Sequence, residues 1–296
     1  TYEKLTSRLP NSPLPLIAQA DLQVAAKDLN AAENSLRKAL TIKPDAVEAQ
    51  QRLVALLLNN KRGDAAVGVA RDIQKQRKDA AIGYILEGEA LIAQGKKAEA
   101  VPLFEEAYKR DKSAQSVVRL YAARTGAGQA QEASRGVAEW VKANPKDLVV
   151  RTYLAERSLA EQKYDQAVQQ YRQMLELAPK NPMLLNNLAW ALGKLNDKSA
   201  LEVALQALAL APNSPVVLDT YGSLLLDNGD GAKGVETLRK AVSLGPKLPQ
   251  LRVNLARGLA KTGDKDGARK ELDEAQKLAP EKSPLRAEID KVRASL

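Results

Sequence analysis

The chain has 296 residues, with 45 Lys and Arg against 36 Asp and Glu, a formal net charge of +9. It contains no cysteine and no histidine, which excludes disulfides, thiol catalysis, imidazole general bases and the usual zinc ligands. Hydrophobic residues make up 45% and suffice for a core, but aromatics are only 4%, so the packing is mainly aliphatic. No run of 18 apolar residues exists, so the sequence predicts no membrane-spanning helix.

Prolines punctuate the chain at Pro10, Pro44, Pro145, Pro179, Pro212, Pro246 and Pro280, at intervals of 34, 101, 34, 33, 34 and 34. The long gap equals three periods, with Lys78 and Lys112 in the two vacant slots. Most of these prolines follow an Ala- and Leu-rich stretch, and proline ends a helix by clashing with the preceding turn and lacking an N–H. Each period therefore holds two helices of roughly 13 residues and their turns.

In chain order, residues 1–12 read as the second helix of a truncated repeat, so the chain is expected to be a piece of a longer protein. Repeats follow at 13–46, 47–80, 81–113, 114–147, 148–180, 181–213, 214–247 and 248–281, and 282–296 reads as a capping helix or equally as the truncated first helix of a further repeat. Repeat four is the least regular: Thr125-Gly126-Ala127-Gly128 loosens its turn, Trp140 takes a core slot, and its two small residues are eleven apart instead of twelve. The turn of repeat six is also one residue short. In the first helices the small column is Ala20, Val54, Gly88, Ala122, Ala155, Ala189, Gly222 and Ala256, with Val54 the larger exception. In the second helices it is Ala32, Ala66, Ala100, Ala133, Ala167, Ala200, Gly234 and Ala268. Small side chains let backbones approach, which marks these columns as the crossing point of each hairpin.

With a large residue four after the second small one, then Ala and Pro (Ala268, Leu272, Ala275, Pro280), this pattern resembles the tetratricopeptide repeat over the whole length. The resemblance implies an all-α, right-handed superhelical solenoid of about eight helix hairpins, with a half-repeat at the N-terminus and a C-terminal capping helix. It also implies that the first helices line a concave groove that binds a protein or peptide partner. The run Leu185-Asn186-Asn187-Leu188-Ala189-Trp190, followed by Asp219-Thr220-Tyr221-Gly222, is similar to bacterial envelope lipoproteins of exopolysaccharide export and PEP-CTERM (exosortase) sorting systems. That likeness points to the periplasm or envelope, with the cytoplasm as the alternative.

Helical periodicity then selects candidate groove residues. In repeat six, Leu184, Leu188, Leu192 and Leu195 read as the buried stripe, leaving Asn186, Trp190 and Lys194 on another face. Equivalent slots hold Thr152 and Glu156 in repeat five, Asp219, Ser223 and Asp227 in repeat seven, and Val253, Arg257 and Lys261 in repeat eight. Ile82, Ile85 and Glu89 give the N-terminal half a more apolar lining, where the two isoleucines also read as inter-repeat core. Trp190 reads either as an amphipathic anchor for a partner or as packing on the neighbouring repeat.

The Lys/Asn/Arg clamp by which some family members grip a chaperone's C-terminal carboxylate is not matched, since its slots hold Ile17, Gln51, Ala55 and Ile85. No phosphate loop, nucleophile elbow or catalytic carboxylate pair is found, so no enzymatic activity and no cofactor are expected. The basic residues are spread through every repeat, many of them near helix ends (Lys43, Lys109, Arg110, Lys142 and Lys277), where a cation is favourable against the helix dipole, and form no arginine stripe for nucleic acid. A polysaccharide or other anionic polymer, held by Trp190, Arg257 and Lys261, is the alternative to a peptide partner.

Overall fold

The computed structural model describes residues 9–296, so the expected half-repeat helix falls largely outside the described residues. Among the described residues every regular element is helical. In chain order these are α1 (Leu14–Ala25), α2 (Leu29–Ile42), α3 (Val47–Asn59), α4 (Gly63–Gln76), α5 (Ile82–Ala93) and α6 (Lys97–Arg110). Then come α7 (Ala114–Gly126), α8 (Ala130–Ala143), α9 (Leu148–Ala160), α10 (Tyr164–Leu177), α11 (Pro182–Lys194) and α12 (Ala200–Leu210). The last five are α13 (Pro215–Asp227), α14 (Gly231–Leu244), α15 (Pro249–Lys261), α16 (Lys265–Leu278) and α17 (Pro284–Ala294). The chain divides into two compact units, one ending at Val150 and one running from Arg151 to Leu296.

Each hairpin turns in the same way. One residue per turn has positive φ: Lys27, Lys61, Gly95, Gly128, Gln162, Asn196, Gly229 and Gly263. The next N–H reaches back to the carbonyl five residues earlier, as Asp28 does to Gln23 at 2.9 Å, Lys163 to Ser158 at 2.8 Å and Asp264 to Leu259 at 2.9 Å. This left-handed C-terminal cap satisfies carbonyls that the helix end would otherwise leave open. Four of the turns follow it with an aspartate; Asp28, Asp230 and Asp264 cap the second helix by accepting from Ala31, Lys233 and Gly267, and Asp197 accepts from Ser199.

Seven residues before each left-handed residue lies the seat on which the second helix crosses. Counted this way the seats are Ala20, Val54, Gly88, Tyr121, Ala155, Ala189, Gly222 and Ala256. Contact there is close. A Cβ on Gly88 would lie 2.7 Å from the Phe104 ring, and one on Gly234 would lie 2.9 Å from the Gly222 carbonyl. The seat of repeat four is therefore Tyr121 and not Ala122, which is exposed. Counted from the seat, the distance to Ala133 is twelve as in most other repeats, and the turn of this repeat is formed as in the other hairpins, so the expected loosening at 125–128 is not found. Tyr121, Gly136, Val137 and Trp140 line a cavity of 650 Å³ beside α6. Trp140 is half-buried, meets Tyr108 edge-on at 6.3 Å and donates from Nε1 to Asp147 at 2.6 Å. Repeat six is short by one residue as expected, and the missing residue lies between Asn196 and Ala200.

Within the N-terminal unit, helices adjacent in sequence pack on each other from α1 to α8, and α3 also touches α5 directly. Within the C-terminal unit the sequential packing runs from α10 to α17. There the first helices α11, α13, α15 and α17 also touch in succession. The helix α17 occupies the place of a further first helix: Ile289 and Val292 are buried against α15 and α16, and Arg286 donates to the carbonyls of Ala279 and Pro280. Basic residues at the ends of second helices bind the preceding loop, as Arg77 does with the Asp45 carbonyl at 2.6 Å and Arg110 with that of Lys78 at 3.0 Å. Part of the positive charge is thus spent on joining neighbours.

The left-handed conformation is strained for a side chain by about 1–2 kcal/mol. Gln162→Gly is expected to raise stability by about 1 kcal/mol, and Gly263→Gln to lower it by a similar amount, read as urea midpoints.

Candidate functional site

Two to three helical turns of each of α11, α13 and α15 face one cavity of 780 Å³. Successive residues of one stripe line it: Asn187, Trp190 and Lys194 on α11, then Thr220, Ser223 and Asp227 on α13, then Asn254, Arg257 and Lys261 on α15. The spacing of three and four is that of a single helix face. Asn186 and Asp219 lie one residue inside the stripe, and Glu288 of α17 extends it by one more period. The groove is a direct product of the repeat, because each first helix is set in the same rotation by its seat and turn.

Its polar groups are largely engaged with one another. Arg257 pairs with Glu288 at 2.7 Å, and Lys261 donates to the Leu226 carbonyl at 2.8 Å and to Asp227 at 3.2 Å. Lys194 stands 5.0 Å above the Trp190 ring, whose other contact is an edge-on meeting with Tyr164 at 5.9 Å. Trp190 remains 39% exposed. Asn254 donates to Asp219 Oδ2 at 2.8 Å. Burial pushes the Asp219 carboxyl up to about 7, against the opposing effects of the Asn254 hydrogen bond and the Arg257 charge. Among the described residues Asp219 Oδ1 has no donor, and neither has Oδ1 of Asn186, a residue only 4% exposed.

Eight of the residues selected by periodicity line this cavity: Asn186, Trp190, Lys194, Asp219, Ser223, Asp227, Arg257 and Lys261. The others do not. Thr152 is half-buried with its hydroxyl 3.5 Å from Met174 Sδ, and Glu156 is exposed outside the cavity. In the N-terminal unit Ile85 belongs to the core, Ile82 packs against it, and Glu89 faces Arg119 at 3.8 Å. Val253 is fully buried. The buried stripe of α11 is Leu185, Leu188, Ala189 and Leu192, since Leu195 caps the helix and is 44% exposed. The row Asn187, Thr220, Asn254 and Glu288 was not selected. Its signal is present, because Asn187 to Thr220 is 33 residues and the next two steps are 34.

The tetratricopeptide repeat family models match residues 23–86, 154–215 and 222–283, which together cover well over half of the chain. The chain belongs to the tetratricopeptide repeat family. No curated protein matches it. Among solved structures, this tetratricopeptide protein is similar to the APC/C hetero-tetramer Cut9–Hcn1, with 14% identity and a TM-score of 0.49 over 98% of this chain and 58% of that one. The chain thus spans little more than half the length of that relative. It is also similar to TTC0263, a thermophilic tetratricopeptide protein of Thermus thermophilus, with 21% identity and a TM-score of 0.49 over 61% of this chain and 98% of that one. A third is YrrB, described as having an unusual peptide-binding site, with 16% identity and a TM-score of 0.39 over 76% of this chain and 97% of that one. No helix among the described residues is long and apolar enough to cross a membrane.

A carboxyl whose folded value is raised keeps its proton where the unfolded chain has already lost it. Its contribution is therefore least unfavourable below the ordinary aspartate range and is lost as pH rises towards 7. Asp219→Asn preserves the acceptor for Asn254 and removes the ionisation. It is expected to stabilise the protein at pH 8 by on the order of 2 kcal/mol. The gain should shrink towards zero at about pH 4, as measured by thermal melting at the two values.

Proposed function

We propose that the protein is a non-enzymatic scaffold whose C-terminal unit holds an extended segment of a partner protein along the groove of α11, α13, α15 and α17. The observation that carries this reading is the gathering of one stripe from four successive helices around one cavity. The cavity lies within the range of about 300–1,000 Å³ common for ligand sites. The helices are fixed by their own packing, so the partner bears most of the ordering cost on binding. Trp190 offers a half-open aromatic face beside polar neighbours, a combination enriched at binding hot spots. The setting we assign is a bacterial cell-envelope assembly for polysaccharide export or protein sorting, on the likeness of the Leu-Asn-Asn-Leu-Ala-Trp and Asp-Thr-Tyr-Gly runs. A polysaccharide or anionic polymer is the less favoured occupant. Two cations invoked for it, Arg257 and Lys261, are already neutralised by Glu288 and Asp227.

Random 12-residue peptides displayed on phage and selected on the folded protein test the reading. Binding is expected to be lost with Ser223→Tyr, which fills the middle of the groove, and to fall at least tenfold with Trp190→Ala. Circular dichroism should show unchanged helicity in both variants. Peptides that bind both variants as well as the parent would place the partner surface elsewhere.

A further inference from the structure

We infer that the groove is built to receive a Lys or Arg side chain of the bound segment, seated on Asp219 with Asn186 accepting a second hydrogen bond. This rests on the reading of the groove as a peptide site and names the chemistry of its occupant.

The argument is an inventory of donors and acceptors. Three cations line the groove, and each has a counterpart within the protein: Arg257 has Glu288, Lys261 has Asp227 and the Leu226 carbonyl, and Lys194 has the Trp190 ring. The buried polar atoms lacking a partner there are both acceptors, Asp219 Oδ1 and Asn186 Oδ1. The Asn186 amide donates to Asn187 Oδ1 at 3.3 Å, and no donor among the described residues reaches its oxygen. With Asp219 ionised, the groove is therefore short of donors and not of acceptors. A buried acceptor without a donor costs about 1–3 kcal/mol, which an arriving donor recovers.

A neutral donor would satisfy geometry but leave the carboxylate charge uncompensated at a shielded position. An ammonium or guanidinium satisfies both, and a charge-assisted bond in such surroundings is about twice as strong as a neutral one. One Asp219 oxygen, Oδ2, keeps the hydrogen bond from Asn254 while Oδ1 is left to meet the ligand. The charged groups of the lining are Lys194 from α11, Asp227 from α13, Arg257 and Lys261 from α15 and Glu288 from α17; the second helices contribute none. With Arg257 and Lys261 paired to carboxylates and Lys194 held over the Trp190 ring, Asp219 is left as the acid with no cation bonded to it.

The Asp219 carboxyl sits at about 7, so a cation that binds its ionised form displaces a proton near neutrality. Binding should tighten as pH rises through 7, by about tenfold between pH 6 and pH 8. The chain has no histidine to obscure that window.

The probe is a phage-displayed library of random 12-residue peptides lacking His and Cys, selected at pH 8 and filtered for peptides that lose binding to Ser223→Tyr. We expect one position fixed as Lys or Arg, at least tenfold weaker binding when it is replaced by Gln, and about tenfold weaker binding at pH 6. Asp219→Asn should remove both the preference and the pH dependence. Groove-binding peptides with no basic position, or whose affinity is the same at both pH values and in Asp219→Asn, would overturn the inference and leave the groove reading standing. A library that yields no peptide sensitive to Ser223→Tyr would overturn the groove reading with it.

Discussion

Seven residues separate the crossing seat of each first helix from the left-handed residue that ends its turn, and that distance governs the rest of the fold. The left-handed cap fixes where the first helix stops and in which direction the chain leaves it. The seat fixes how near the second helix can come. At Gly222 and Gly234 the two backbones are within contact of each other, so neither position has room for a side chain. Together these two points set the rotation of every first helix about its axis. A change of one residue between them would turn the helix by about 100° and swing its buried stripe away from the core.

The groove of the C-terminal unit follows from that constraint. Because α11, α13 and α15 share one rotation, positions nine, six and two before each turn fall on one line. Functional side chains can vary there without touching the spine of Leu, Val and Ala that holds neighbours together. The seat and the turn orient the groove without lining it, and the groove residues contribute little to stability, with Asp219 as the exception. That carboxyl is held where burial opposes its ionisation, with one hydrogen bond from Asn254 to offset the cost. A buried acid that weakens the empty protein is what a site built for an incoming donor would contain.

Most of this was legible in the sequence, because the repeat multiplies a weak signal. A proline or a small residue means little once and a great deal at a fixed interval. The hidden parts have particular causes. Four of the eight left-handed residues are Lys27, Lys61, Gln162 and Asn196, so glycine does not mark the turn. Counting from small residues led to Ala122, and only the turn at Gly128 shows that Tyr121 takes the seat. In α11 the choice between Leu184 and Leu185, or Leu192 and Leu195, depends on where the helix ends, which Asn196 decides. The burial of Asp219 and the arrival of Glu288 depend on neighbouring helices, and no local pattern carries that information. In the N-terminal unit, Ile82 and Ile85 satisfy the same periodicity as groove residues yet serve the core, because an apolar side chain in that slot is drawn inward.

The most direct test compares two single-alanine insertions in repeat six. One follows Asp197, in the turn that is one residue short, and restores the common spacing without altering the distance from Ala189 to Asn196. The other follows Gly193 and lengthens that distance to eight. Thermal melting should show the first variant within a few degrees of the parent and the second strongly destabilised, with its cooperative transition broadened or lost. Equal effects from the two insertions would contradict the claim that the seat-to-turn distance sets the fold.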